Sequence, residues 1–302
     1  MSTEQSRMDA AFVEQEVDVL MPDVILEAYP DRTYGQAFSV APGLSPGAKT
    51  VTYRHAKGVG VAKFVDPGSR EVPLVEYDVV PNTVPIRLIR LGAEYDTEDV
   101  REGQLTGRPL DRDKLVIVAE GHEALIDETA WVGSPNRGIY GVANHPNILR
   151  LVTPTTFDSN STASAILAAM LLPVSKMVSL TKGIERPNTL ALPHEQHEYV
   201  SSTMYSQAGS GDTRTILEVF LASQKQIDLV LPVHHLEGAG VGGENVAVYY
   251  NRARTKIEHL LAMRPTRNPV AWDGTNWRVV YESKTGGCSV KKPFSVIDLE
   301  GI

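Results

Sequence analysis

Residues 110–146 read LDRDKLVIVAEGHEALIDETAWVGSPNRGIYGVANHP, and this stretch is the most informative about the architecture. It follows Pro109, a residue suited to the first turn of a helix. Six residues recur at the i, i+3, i+4, i+7 spacing of one helix face: Leu115, Val118, Ala119, His122, Leu125 and Ile126. Three acidic residues predict a solvated opposite face: Asp113, Glu120 and Asp127. Because Gly133 and Pro135 end the pattern, the stretch predicts a long helix over 110–130 and then a glycine-spaced turn.

The composition is that of a folded protein with an acidic surface. The chain has 302 residues, 42% of them hydrophobic and 22% charged, and a net charge of −8. A net negative charge gains nothing from neutralising phosphates, so contacts with DNA are expected to be non-specific only. Cys288 is the only cysteine, which excludes an intrachain disulfide and a zinc site built from cysteines.

The N-terminal residues carry neither the basic nor the apolar region of a signal peptide. Residues 6–21 instead show an amphipathic helical pattern with several acidic positions. The longest apolar run, Ala163 to Val174, is shorter than the roughly 20 residues that span a bilayer. We therefore expect an intracellular protein without a membrane partner.

Residues 49–77 predict a long two-stranded ribbon. Alternate residues fall on one side of the first strand: Val51, Tyr53, His55 and Lys57. The sequence Asp66-Pro67-Gly68-Ser69 is a strong turn signal. Polar and apolar residues occur on both faces, and an isolated hairpin is marginal in water, so the ribbon is expected to lie on another surface. The alternative is an ordinary hairpin packed on its own domain.

Helical and strand-like segments are interleaved along the rest of the chain without a regular βαβ order, which favours an α+β fold. We predict strands at 84–91, 189–200, 227–235 and 247–250 and within 271–296, and a short helix at 97–103. A helix over 161–181 is expected to kink or split at Pro173. Another helix is expected to end near Ser223, with Asp212 or Thr213 as its N-cap.

Enzyme signatures are weak, and we predict no catalytic residue, cofactor or metal ligand. The glycines of 238–243 precede a strand-like segment rather than the helix that a dinucleotide loop requires. On a strand, His194 and His197 would point to opposite faces. Sequence alone leaves open a composite metal site of His194, His235 and Glu237, although surface or interface histidines are favoured. His122 is expected to be a hydrogen-bonded core or interface histidine.

Several segments resemble, in order, the major capsid proteins of tailed phages, which share the Hong Kong 97-type fold with encapsulins. The helix over 110–130 resembles the family's spine helix, and 138–146 resembles its turn into the axial domain. Residues 188–193 resemble an axial-domain strand, and 286–302 resemble the closing peripheral strands. The resemblance implies an N-terminal arm (1–48), an extended β-hairpin loop (49–78), a peripheral domain (79–147), an axial domain (148–265) and a return to the peripheral domain (266–302).

The resemblance implies self-assembly into pentamers and hexamers of an icosahedral phage head that encloses a DNA genome. The protein would be part of the virion capsid and would assemble in the host cytoplasm. Its further partners would be scaffolding, portal and decoration proteins. Because no long charged helical segment precedes the arm, a separate scaffolding protein or none is expected.

The resemblance also implies two sets of assembly residues. Charged residues of the extended loop would set register and partner choice: Arg54, Lys57, Lys63, Arg70 and Glu71. Two axial loops, over 203–212 and 237–245, would line the ring centre, with these residues in them: Gln207, Gly209, Gly211, Asp212, Gly240 and Gly242. Deleting residues 54–69 is expected to leave a folded subunit that does not assemble.

Three alternatives remain at this point. An encapsulin-type nanocompartment would have the same fold but would enclose an enzyme cargo. A metal-dependent enzyme would use the histidines. A tail or tube protein would form open filaments instead of closed shells.

Overall fold

The computed structural model describes residues 30–59, 64, 74–96, 110–205, 213–272 and 276–302. The helices are α1 (Tyr34–Ala37), α2 (Leu110–Trp131), α3 (Ala163–Leu180), α4 (His194–Ser202) and α5 (Ile216–Ser223). The first strands are β1 (Thr50–Val59), β2 (Glu76–Pro85), β3 (Arg87–Asp96), β4 (Gly133–Ser134), β5 (Ile139–Tyr140), β6 (Leu149–Val152) and β7 (Thr189–Leu192). The later strands are β8 (Leu229–Pro232), β9 (Val246–Tyr250), β10 (Ile257–Arg267), β11 (Ala271–Trp272), β12 (Asn276–Val290) and β13 (Val296–Glu300). Short 3₁₀ turns lie at Pro135–Arg137, His234–Leu236 and Pro293–Ser295.

A five-stranded mixed sheet in the order β6-β13-β9-β7-β8 separates two hydrophobic cores. Every residue of β7, β9 and β13 is buried, as expected for strands covered on both faces. Val246, Val248 and Tyr250 face the end of α2 and the segment around α1. Ala247, Tyr249 and Leu299 face helices α3 and α5.

A second, antiparallel sheet carries the long helix α2. Its path is β10-β12-β11, with β3 paired along β12 from Asp96 at one end to Arg87 at the other. Helix α2 packs across β12 and β3. The interleaved helices and the two separate sheets confirm the predicted α+β class.

The predicted helix over 110–130 is confirmed as Leu110–Trp131, but the assignment of its faces is partly wrong. His122 is fully buried, with its ring nitrogens 2.9 Å from Ser283 Oγ and 3.1 Å from the Tyr281 carbonyl, as expected for a hydrogen-bonded core histidine. Leu125, however, is 41% exposed, and Asp127 is 1% exposed. The reason is that α2 is covered on a second side, by the segment around α1 and by His235.

Helix α3 runs through Pro173 as one helix, so it does not split there, while a kink at Pro173, the other expected outcome, stays a prediction. Proline removes one backbone hydrogen bond, and the packing of the flanking residues Ile166, Met170 and Val174 in the core offsets this loss. By length and composition α3 could cross a membrane, with a mean hydropathy of 1.7. A core helix passes the same test, and α3 contributes six buried residues to the side of the sheet that it covers.

The segment predicted as a strand over 189–200 is a strand only to Leu192. After Pro193 the chain forms α4, so His194 and His197 lie on a helix. The predicted cap of α5 is also misplaced. Thr215 caps the helix in a capping box, in which Glu218 N donates to Thr215 Oγ1 (3.2 Å) and Thr215 N donates to Glu218 Oε2 (2.9 Å).

Other predicted boundaries move by a few residues. The strand predicted over 227–235 is β8, Leu229–Pro232, followed by a 3₁₀ turn. The strand predicted over 84–91 is divided, because Val84 belongs to β2 and Ile86 separates β2 from β3. The short helix predicted at 97–103 lies outside the described residues.

The C-terminal strand belongs to the five-stranded sheet rather than to the sheet that carries α2. β13 pairs in parallel with β6 and antiparallel with β9. The chain therefore joins the α2-bearing sheet at Ile257 and leaves it again before Val296. The comparison of residues 286–302 with closing peripheral strands stays a prediction, as do the predicted domain boundaries.

Asp298 lies in β13, an interior strand of this sheet, and its carboxyl is fully buried. Neither oxygen has a hydrogen-bond partner among the described residues. Burial raises the pKa of Asp298 well above its usual value, the neighbouring Arg150 opposes that shift, and Glu300 adds to it. Because the folded-state pKa is raised, the stabilising contribution of this carboxyl is complete at pH values below its pKa in the unfolded chain. It is lost as pH rises through the pKa in the folded protein.

We expect Asp298→Asn to raise the free energy of unfolding at pH 8 by about 1–3 kcal/mol, because the amide is never ionised. Near pH 4 the gain should disappear. Denaturant unfolding of the unassembled protein at both values measures the difference. Asp228→Asn, at an exposed carboxylate, is the control and should show no such gain. An equal effect of Asp298→Asn at both pH values would contradict the account.

Candidate assembly surfaces

Strands β1 and β2 form a ribbon of ten paired positions. The register runs from Thr50 opposite Pro85 to Val59 opposite Glu76. The predicted alternation is confirmed for the described side chains, because Val51, Tyr53 and His55 are half-buried while the residues between them are exposed. The paired part of the ribbon extends to Pro85, beyond the predicted end of the loop at 78.

Both sides of the outer part of the ribbon are exposed and apolar. Tyr77 is 71% exposed, and Val79 and Val80, which point to opposite faces, are 37% and 44% exposed. Val75 is as exposed as Tyr77, and Leu74 and Phe64 are more exposed still. A two-stranded ribbon with exposed apolar residues on both faces has no core of its own, which is typical of a surface that packs on another chain.

The base of the ribbon is fixed to the body of the subunit. The Tyr53 hydroxyl donates to the Val290 carbonyl (3.4 Å), and Ile86 N donates to the Lys49 carbonyl (2.8 Å). Beyond the ribbon, the Arg87 guanidinium donates twice to the Arg137 carbonyl, at 3.1 Å each, and so joins β3 to the turn after α2. The anchored base gives the exposed part a defined starting direction.

Two of the predicted ribbon residues lie in the paired strands. Arg54 is exposed opposite Pro81, and Lys57 lies opposite Asp78. Lys63, Arg70 and Glu71 lie outside the described residues. Their roles stay predictions.

Asp127 of α2 joins three parts of the chain. Its Oδ1 accepts hydrogen bonds from the backbone amides of Thr33 (3.1 Å) and Tyr34 (2.7 Å), at the start of α1. Its Oδ2 lies 3.2 Å from His235 Nε2. Trp131 Nε1 donates to Thr33 Oγ1 (2.8 Å) in the same buried junction. Sequence reasoning missed this junction because its members are far apart in the chain.

In the glycine-spaced turn after α2, two backbone segments of the same chain approach each other closely. Gly133 has φ +74°, in the left-handed region, and pairs with Tyr140. A Cβ on Gly141 would lie 2.3 Å from the Trp131 carbonyl oxygen. Gly141 N donates to Asn144 Oδ1 (2.9 Å), so the Asn side chain closes the turn that precedes His145 and Pro146.

Gly141→Ala is expected to lower the free energy of unfolding by about 1–3 kcal/mol or more, because the clash is with backbone atoms that cannot rotate away. Thermal unfolding of the unassembled subunit measures the loss. Gly35→Ala is the matched control, since a Cβ there meets nothing within 4 Å and φ is not positive. Equal stability of the two variants would contradict the close approach as the reason for the glycine.

The two candidate axial loops are described to different extents. Gln207, Gly209, Gly211 and Asp212 lie outside the described residues, and Tyr205 N donates to the Arg214 carbonyl (2.8 Å) across the base of their loop. In the second loop Gly240 N donates to the Glu244 carbonyl (2.9 Å), and a Cβ on Gly240 would lie 2.9 Å from that oxygen. A glycine is thus required at position 240 by a close approach within its own loop, and the predicted role of Gly240 at the ring centre stays a prediction.

This second loop is also exposed. A Cβ on Gly242 would lie 3.4 Å from Glu244 Oε1, and Val241 between Gly240 and Gly242 is 77% exposed. The loop is folded back on itself, with an apolar side chain at its tip.

The histidines do not form a metal centre in the described part of the chain. The rings of His194 and His234 stack with centroids 6.5 Å apart, and those of His234 and His235 are 3.8 Å apart. Burial, followed by the neighbouring His235, lowers the pKa of His234. Within the described ranges, no group of three or more His, Cys, Asp or Glu side chains could hold a metal ion.

The family model described as major capsid protein matches residues 60–302. The chain belongs to the major capsid protein family. This match covers the described strands from β2 onwards, both sheets and all helices after α1. No curated protein sequence matches the chain.

Solved structures show the fold of this major capsid protein. A chain of the capsid of Myoviridae phage XM1 superimposes with a TM-score of 0.84 at 13% identity, over 95% of this chain and 98% of that one. A chain of Mycobacterium phage Ogopogo gives 0.66 at 12% identity, over 96% and 98%. A virus-like particle from Pyrococcus furiosus gives 0.57 at 13% identity, over 88% and 92%. The predicted Hong Kong 97-type fold is confirmed.

Family and fold indicate a structural protein that associates with itself in capsids. The predicted identification as a tailed-phage major capsid protein is therefore confirmed.

Proposed function

We propose that this major capsid protein forms pentamers and hexamers of an icosahedral phage head that encloses a DNA genome. Rings of this kind arise from head-to-tail contacts that close around an axis. The exposed apolar ribbon is the observation that carries the proposal, because it provides a contact surface that the subunit itself does not cover. The high structural similarity to the XM1 capsid supports a phage head.

In the proposed shell the ribbon lies across an adjacent subunit, and the loops over 203–212 and 237–245 line the ring centre. Apolar side chains on the ribbon supply contact area, while Arg54 and the other charged ribbon residues set register. Many such contacts, each weak alone, hold the shell together because each subunit is bound at several places at once.

The head would assemble in the host cytoplasm, with scaffolding, portal and decoration proteins as partners. The packaged DNA would touch the shell only non-specifically, in keeping with the net charge of −8.

A nanocompartment that encloses a protein cargo is the second candidate. The similarity to the Pyrococcus furiosus virus-like particle favours it, at a lower TM-score than the phage capsids XM1 and Ogopogo.

The contents of particles distinguish the two candidates. Particles are isolated from cells that make the chain together with its neighbouring genes, treated with nuclease and opened. Nuclease-protected DNA of uniform length is the result expected for a phage head. A second protein inside particles that lack DNA would contradict it and would support the nanocompartment.

A further inference from the structure

Three loops come together on one face of the subunit, at the end of α3: residues 181–188, 251–256 and 291–295. Asn251 Nδ2 donates to the Arg186 carbonyl, and Arg252 N donates to Asn188 Oδ1, both at 2.9 Å. Lys291 N donates to the Lys256 carbonyl (2.8 Å). We call the surface formed by these three loops the basic face.

Positive charge exceeds negative charge on the basic face. Two buried carboxylates are each held by two cations. Glu258 lies 2.6 Å from Arg254 Nε and 2.5 Å from Lys291 Nζ, and Glu185 contacts Lys256 and Lys292. The cations are seven: Lys182, Arg186, Arg252, Arg254, Lys256, Lys291 and Lys292. With Asp228, which pairs with Arg252, the acids are three. The face thus has a net charge of +4 in a chain whose net charge is −8.

The basic face also carries exposed apolar side chains. Ile184 is 76% exposed, Phe294 is 63% exposed and Leu180 is 55% exposed. They lie beside the cations, because Ile184 precedes Glu185 and Phe294 follows the Lys292 that contacts Glu185. An apolar patch bordered by charge is typical of a docking surface.

We propose that the basic face binds the acidic N-terminal segment, residues 1–29, of this same protein. That segment has seven acidic residues and one basic residue. Its residues 6–21 carry the amphipathic pattern, with Val13, Val17 and Leu20 on an apolar side and acidic residues around them. The segment therefore offers both properties that the face requires, apolar side chains for the patch and carboxylates for the cations.

The residues that follow the acidic segment in the chain also support its binding to the basic face. Residues 35–40 line an open cleft of about 540 Å³ together with Asn188, Arg252 and Arg254. The described residues that follow the segment in the chain thus border the basic face. Fully extended, it spans about 100 Å, so segments of the same copy and of a neighbouring copy both reach the face.

A DNA duplex would match the cations of the basic face but not its apolar side chains. Its phosphates could contact the cations, but a duplex backbone leaves Ile184 and Phe294 uncovered. The acidic segment covers both, and the inference needs no closed shell, so it can fail or hold independently of the proposed function.

Carbodiimide cross-linking of the full chain tests the inference, because this reagent joins only carboxylates and amines that touch. We expect cross-links between acidic residues of 9–18 and Lys291 or Lys292. The double variant Arg186→Glu with Lys292→Glu should lower the yield of cross-links between residues 9–18 and Lys291 about tenfold. The reason is the loss of two favourable ion contacts. Arg137→Glu with Arg267→Glu, both on exposed side chains outside the three loops, is the control of equal charge change.

A compensating charge swap distinguishes the loss of segment binding from misfolding of the double variant. Adding Glu16→Lys and Asp18→Lys to the double variant should restore cross-linking, now from the introduced lysines to the introduced glutamates. Cross-links between residues 9–18 and Lys291 that persist in the double variant would overturn the proposal; the Lys291–Glu258 cross-link expected from their 2.5 Å contact serves as the internal standard. So would a double variant that loses co-purifying nucleic acid while its segment cross-links stay unchanged, since the face would then bind DNA.

Discussion

Replacing residues 54–81 by a two-residue Asn-Gly turn is expected to abolish shell formation and to leave the subunit folded. Tyr53 lies opposite Asn82, so a short turn can join the two strands at that point. The change removes the exposed apolar side chains of the outer ribbon, among them Tyr77, Val79 and Val80, and keeps the anchored base with its Thr52–Thr83 contact (3.0 Å). Analytical ultracentrifugation and thermal unfolding measure assembly and folding separately.

The symmetric cut is preferable to deletion of residues 54–69, because that deletion would leave β2 without its partner. Arg54→Ala is the matched point variant. Loss of one exposed charge should change register or assembly rate but keep particle formation. Shells of normal shape from the shortened ribbon would contradict the assignment of the ribbon as an assembly surface.

Asp127→Ala should lower the free energy of unfolding by about 3–5 kcal/mol, because it removes one partner of a buried, hydrogen-bonded pair. The amides of Thr33 and Tyr34 would lose their acceptor, and His235 would lose its carboxylate neighbour. Chemical denaturation of the unassembled subunit measures the effect.

Two further variants divide this loss into its parts. Asp127→Asn keeps an acceptor for the two amides and should lose less than Asp127→Ala. Glu128→Ala, on the exposed neighbour, should change stability by less than about 0.5 kcal/mol. A loss for Asp127→Ala no larger than that for Glu128→Ala would show that the junction does not hold the arm, the helix and the sheet together.

The parts of the fold that depend on local pattern could be predicted from the sequence. The spine helix follows from the spacing of its apolar residues, and the ribbon follows from alternation and a strong turn signal. His122 was assigned correctly because its position on the apolar face is itself local information.

The errors concern residues whose surroundings come from distant parts of the chain. Asp127 was predicted to be solvated, but it is buried by Thr33, Tyr34 and His235, none of which is near it in sequence. The end of β2 at Pro85 depends on its pairing with Thr50. The basic face is invisible in the sequence because its cations are divided among three loops.

The end of β7 and the cap of α5 both have local sequence signals. Pro193 marks the end of β7, since its ring favours the start of a helix, and α4 follows directly. Thr215 and Glu218 have the spacing of a capping box, a stronger signal than Asp212 alone.

Electron microscopy of the purified protein shows whether the chain builds a closed shell and whether the ribbon is needed for it. If this major capsid protein builds a shell through its exposed ribbon, the wild-type chain forms closed icosahedral particles of uniform size and the shortened-ribbon variant forms none. Open tubes from the wild-type chain, or the same closed particles from both, would contradict the account.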